Sequence, residues 1–184
     1  MRFCICRFFV FLAQAKSRSR TLDKIRIWLA GNLESSLTTK VLTGCPSFVC
    51  VGQSDLSRDS LKRIEAARPD VVLLEIEAQD RRVNRILTRL NDTIPATRII
   101  VRSPTSNKQF VMRLLRHGVD GFLSGPEIET ELKRAITVVT QGEAFLCPTA
   151  SGALVTEYRR HSRRRTMPTA INHAPTQNHT EKGK

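Results

Sequence analysis

Residues 68–80 read RPDVVLLEIEAQD, four apolar positions from Val71 to Leu74 followed by Glu75, Glu77 and Asp80. Carboxylates act as acids and bases, as nucleophiles, or as ligands for hard cations such as Mg2+. Each role needs a rigid support. A short apolar run closed by a carboxylate has the form of a buried strand that delivers charge to the carboxyl edge of a parallel sheet, where α/β proteins bind their ligands. The remaining reactive residue types are scattered. His117, His161, His173 and His179 form no constellation. Cys4, Cys6, Cys45, Cys50 and Cys147 contain no C-x-x-C pair and no Cys/His ligand spacing. Neither a zinc site nor a disulfide framework is indicated, and the cysteines read as reduced thiols of a cytoplasmic protein.

The elements that must hold Glu75 follow from periodicity. Strand-like runs fall at Ile25–Ala30, Ser47–Gln53, Val71–Glu75, Arg98–Arg102 and Val119–Leu123. Between and after them lie helical patterns at Glu34–Thr43, Asp55–Arg68, Arg82–Leu90, Gln109–Arg116 and Glu127–Thr140. Pro69 stops the second helix, and Gly118 and Gly142 close the fourth and fifth. The alternation predicts an α/β fold, a five-stranded parallel sheet wound on both faces with the flavodoxin-like strand order 2-1-3-4-5. Its carboxyl edge gathers Gly31/Asn32, Gln53, Glu75, Ser103 and Ser124/Gly125. No G-x-G-x-x-G or P-loop follows the first strand, so nucleotide binding has no support.

Length and charge set the outer organisation. The 184 residues suit one domain with extensions, and an apolar content of 40% suffices for one core. The net charge of +13 is unevenly spread: residues 1–24 carry +5, residues 159–184 carry +6, and the stretch between carries only +2. The basicity belongs to the ends, and the near-neutral middle is not a nucleic-acid surface. The expected organisation is an N-terminal extension over 1–23, a domain over 24–145, a short helix over 146–160 and a basic, disordered tail over 161–184. Residues 3–15 (FCICRFFVFLAQA) end in an A-x-A pattern like a signal peptidase site, but Arg7 leaves only Phe8 to Ala13 unbroken. That is shorter than the ~7–15 residues of a signal core and the ~20 of a membrane helix. No membrane span is expected.

Four segments carry a family resemblance: RPDVVLLEI (68–76), TRIIVRS (97–103), RHGVDGFLS (116–124) and QGEAFLCP (141–148). They are similar to the receiver domain of bacterial response regulators, most closely the NarL/FixJ subgroup, in order and spacing over about residues 24–160. The resemblance implies a phosphotransfer device in two-component signalling. An acidic pair after the first strand and an acceptor Asp after the third hold a divalent ion. A hydroxyl residue after the fourth strand and a Lys after the fifth contact the phosphoryl group. Carried onto this chain, the acidic pair falls on Gly31 and Asn32, the acceptor on Glu75, the hydroxyl on Ser103, the switch aromatic on Phe122 and the lysine on Gly125.

Most of the machinery is therefore missing. One carboxylate and one amide make a poor Mg2+ site, so Mg2+ binding is expected to be weak or absent, with no other cofactor, no metal and no catalytic residue. A Glu also carries its oxygen ~1.5 Å beyond the in-line position. The expected function is a degenerate pseudo-receiver, not an enzyme, that acts as a phosphorylation-independent protein-interaction module. Its partner, or a second copy, would dock on the face made by the fourth helix, fifth strand and fifth helix, including Val111, Met112, Leu115, Arg116 and Phe122. An anionic Glu75 near Ser103 would imitate part of the phosphoryl charge; the alternative is a solvated carboxylate at a strand end. Alternation aims Arg102 away from the side that Ser103 faces. The second functional reading is a truncated NarL/FixJ-like transcription regulator lacking its helix-turn-helix domain, with nucleic acid reached only through the basic tail.

Overall fold

The computed structural model describes residues 24–31, 36–78, 80–104, 107–125 and 128–165. The apolar runs form β1 (Ile25–Gly31), β2 (Phe48–Ser54), β3 (Val71–Glu75), β4 (Arg98–Arg102), β5 (Gly121–Leu123) and β6 (Phe145–Leu146). They lie in one sheet of order β2-β1-β3-β4-β5-β6, with every pairing parallel. Helices α1 (Ser36–Thr43), α2 (Arg58–Ala67), α3 (Val83–Thr93), α4 (Lys108–Arg116), α5 (Ile128–Thr140) and α6 (Pro148–Arg165) complete the described chain.

Strand alternation divides the core into two layers. Val72, Leu74, Ile99, Val101 and Phe122 pack with residues of α2, α3, α4 and α6. Val71, Leu73, Ile100 and Leu123 pack with residues of α1 and α5. Both faces of β3 are buried, as an apolar run without alternation requires. The expected strand order holds for the first five strands. A sixth extends it, because the GEAFLCP turn lets Phe145 and Leu146 pair with Gly121 and Phe122. Two residues are too few to leave a periodic signal.

Helix α6 corrects a second expectation. It begins at Pro148 and runs to Arg165, past the expected limit at residue 160, while Leu146 belongs to β6. Arginine is a good helix former, so an Arg-rich run need not end a helix anchored by the buried Ala150 and Ala153. The expected extension over 1–23, Asn32 and the tail beyond 165 lie outside the described residues. Among the described residues no helix is long and apolar enough to cross a membrane.

The amino-terminal ends of the strands are pinned by aspartates. Asp70 Oδ2 accepts from the Arg26 backbone N–H at 2.9 Å, and its carbonyl accepts from Arg98 N–H at 2.9 Å. Asp120 Oδ2 accepts from Ile99 N–H at 2.8 Å, while its Oδ1 receives the Arg98 guanidinium at 3.2 Å. Arg26 reaches across to the last carbonyls of α2, donating to Ala67 O at 2.9 Å and Arg68 O at 3.3 Å. These bonds fix where β1, β3, β4 and β5 start, and so which residue ends each strand. Replacing Asp120 by Ala should lower unfolding stability by about 1–2 kcal/mol in urea titration. The exposed Asp59→Ala should change it by less than about 0.5 kcal/mol.

Candidate functional site at the strand ends

In-register pairing puts the last residues of three neighbouring strands in one row. Gly31 of β1 is opposite Glu75 of β3, and Glu75 is opposite Arg102 of β4. Side chains at paired positions of parallel strands leave the same face of the sheet. Glu75 continues the Val71/Leu73 series and Arg102 the Ile100 series, both turned toward α1 and α5. The two meet there: Arg102 Nη1 donates to Glu75 Oε1 at 2.8 Å, and Thr38 Oγ1 of α1 donates to the same oxygen at 2.7 Å.

Glu75 is only 6% exposed. It is therefore not a solvated strand-end carboxylate, one of the two expectations set out above. Its negative charge is balanced within about a hydrogen-bond length by a cation that alternation was expected to send elsewhere. Arg102 and Ser103 do have opposite parity along the strand, but Glu75 shares the parity of Arg102, not that of Ser103. Two five-residue strands in register, VVLLE and RIIVR, close on opposite charges at the same level, and that signal was readable. Thr38 carried no sequence signal, because its contact depends on how α1 lies over the sheet.

Of the two acidic-pair positions, the one at Gly31 is closed by the backbone. Gly31 has φ +124°, and a Cβ built on it would lie 2.0 Å from the Glu75 carbonyl oxygen. Only a residue without a side chain fits that conformation and that approach. At the lysine position, Gly125 has φ +108° and no atom within 4 Å of an ideal Cβ. That corner of the site is open but carries no cation. Among the loop acids, Asp80 is committed to Arg82, whose backbone N–H, Nε and Nη2 approach its carboxylate at 2.8, 3.2 and 3.0 Å. The Arg82 side-chain hydrogen bonds hold the Asp80 carboxyl below its ordinary range. Glu77 is exposed.

A divalent ion does not fit this row. Gly31 offers no oxygen from a side chain, and Glu75 Oε1 already accepts two hydrogen bonds, one from a guanidinium. A hard cation needs several free oxygens and is repelled by an adjacent positive charge. The expected switch positions are both inside: Ser103 is 1% exposed and Phe122 is 0%. Phe122 meets Phe110 of α4 edge to face, with ring centroids 6.1 Å apart. Arg113 of α4 lies over the Phe110 ring and donates from Nη2 to the Ala78 carbonyl at 2.8 Å. This tie between α4 and the loop after β3 was not foreseen from sequence.

Breaking the pair from one side should be costly. Arg102→Met leaves a buried carboxylate without its cation and should destabilise by about 3 kcal/mol, while Arg102→Met with Glu75→Leu should recover most of that loss. Gly31→Asp should destabilise by at least about 3 kcal/mol through φ strain and the collision with Glu75. Urea or thermal unfolding of the variants measures each. With Glu75→Leu measured alone, a double-variant loss equal to the sum of the two single losses would mean that the ion pair carries no coupling.

No family model matches the chain. Curated relatives do. It is 29% identical over 123 residues to the transcriptional regulatory protein DegU of Brevibacillus brevis, covering 66% of this chain and 51% of the relative. It is 26% identical over 110 residues to the response regulator GacA of Pseudomonas viridiflava, covering 60% and 51%. The chain thus spans about half the length of the curated relatives it matches. Among solved structures, a LuxR-family two-component response regulator from Aurantimonas superposes with TM-score 0.65 at 15% identity, covering 74% of this chain and 99% of that one. The isolated receiver domain of Salmonella enterica RcsB, solved with the phosphomimetic BeF3-, gives 0.62 at 16% identity, covering 71% and 99%. RcsB has also been solved as two dimers bound to two parallel DNAs, with TM-score 0.62 at 16% identity, covering 72% and 69%. The described part of this chain thus has the fold of a receiver domain, and its sequence is similar to response regulators of the NarL/LuxR type.

Proposed function

We propose that this receiver takes no phosphoryl group and serves two-component signalling in the cytoplasm as a protein-interaction module rather than an enzyme. The observation that carries the reading is the Arg102–Glu75–Thr38 contact at the acceptor position. Phosphoryl transfer to a carboxylate needs a free oxygen aimed at the donor and positive charge placed around the transferred group. Here the acceptor carboxylate is buried and hydrogen-bonded, its cation is bound to it from the side, and the backbone closes the Gly31 half of the acidic pair. The buried Ser103 and Phe122 support a fixed arrangement, since a phosphoryl group draws these two positions inward in the receivers this chain resembles. The expected charge mimicry is weakened by the same contact: an ion-paired Glu75 offers Ser103 little of its charge. The site is better described as sealed than as imitating phosphate.

Little of the expected docking face is open at α4 and β5. β6 takes the outer edge of β5, and α6 lies along α4. Val111 and Phe122 are fully buried, Met112 and Leu115 are half-buried, and Arg116 is exposed. A partner or second copy would therefore meet the rim of the α4–β5–α5 face together with α6.

Incubating the chain with a small phosphodonor and Mg2+ should add no species heavier by one phosphoryl group, about 80 Da, in intact-mass measurement. A labelled Glu75 peptide would refute the reading. The second reading, a transcription regulator that reaches nucleic acid through its basic carboxy-terminal stretch, is favoured by the helical Arg159–Arg165 stretch and by the name of the Brevibacillus relative. It requires DNA binding with a steep salt dependence that disappears on deleting 159–184. Salt-insensitive or absent binding counts against it.

A further inference from the structure

Helix α6 is attached to the domain along one face. Ala150 and Ala153 are buried with the α4 side of the core, and Glu157 Oε2 lies 3.6 Å from Lys108 Nζ of α4. On another face, Leu154, Val155 and Tyr158 are 40%, 48% and 72% exposed. At 3.6 residues per turn these three fall within an arc of about 100°. They form one apolar stripe. Among the described residues, Val49 is the remaining large hydrophobic side chain with comparable exposure, on the far edge of the sheet. The exposure is therefore concentrated on α6.

The charges beside the stripe have one sign. Arg159 is exposed about 40° around the helix from Val155, while Arg160 lies on the other flank and, like Lys108, approaches Glu157, the single acid of α6. We propose that this stripe docks an acidic amphipathic segment of another protein, with apolar side chains against Leu154, Val155 and Tyr158 and a carboxylate against Arg159. A second copy of α6 would bring a helix of the same charge, with no spare acid to offset it. A nucleic-acid backbone would satisfy the arginines but leave Leu154 and Val155 facing water. An acidic amphipathic helix matches both features at once. The inference rests on the reading of the chain as a protein-interaction module and names the surface and the partner's chemistry.

The test titrates the full chain with a labelled synthetic peptide carrying Leu at i, i+3, i+4 and i+7 and Glu between them. Saturable binding is expected, weakened about tenfold by Leu154→Ser with Tyr158→Ser, a pair that leaves every charge in place. Val49→Ser should leave it unchanged, added salt should weaken it, and a peptide with Lys for Glu should not bind. Binding unaltered in the Leu154/Tyr158 variant overturns the proposal. So does a dimer in sedimentation that this variant dissociates, or binding of a random DNA duplex that it weakens. Running the titration with and without phosphodonor and Mg2+ separates the two ideas. Binding that appears only after phosphorylation refutes the phosphorylation-independent reading and leaves the surface standing. No binding in either condition removes the surface and leaves that reading.

Discussion

A parallel sheet in register forces the residues that close its strands to coexist in a single row. Neighbouring strands lie about 4.8 Å apart, so Gly31, Glu75 and Arg102 cannot be chosen independently. A carboxylate at the centre of that row, covered by α1, needs a partner, because an isolated buried charge is untenable. In a metal-dependent receiver the partner is a cation from solution. Here it is a guanidinium built into the next strand, with a threonine hydroxyl completing the coordination of the oxygen. Once Arg102 is there, an acidic neighbour at position 31 is no longer needed to hold an ion, and the chain of β1 can approach the Glu75 carbonyl closely.

The opposite end of the sheet has a different task. Asp70 and Asp120 sit in two of the segments that carry the family resemblance, yet their contacts include backbone N–H groups and the Arg98 guanidinium. They set strand starts and take no part in the carboxyl-edge row. Structure and chemistry have separated in this molecule. The bonds that set the strand starts are present, while the positions matched to phosphotransfer carry Gly31, an ion-paired Glu75 and Gly125. This is why similarity to response regulators can be plain while the reaction those positions serve is unsupported.

Much of the fold was legible because buried runs such as VVLLE and RIIVR have few alternatives, and because Pro69, Gly118 and Gly142 mark helix ends. β6 was not, since a two-residue strand has no period. The length of α6 was misjudged because charge was read as disorder, whereas the anchoring alanines that decide the matter precede the arginines. At the site, the addresses of Gly31, Glu75, Ser103, Phe122 and Gly125 could be assigned by resemblance, but the partners of Glu75 could not be ranked. Arg102 was visible as an opposite charge at the same level of the neighbouring strand; Thr38 becomes visible only when α1 is laid over the sheet.

The close approach at Gly31 also ranks the substitutions that the row can take. An Asp at position 75 asks only for a shorter side chain in the place of another. An acid at 31 first asks the β1 backbone to withdraw from the Glu75 carbonyl. The identity of position 31 is thus tied to the path of its own strand, whereas that of position 75 is tied to the side chains around it.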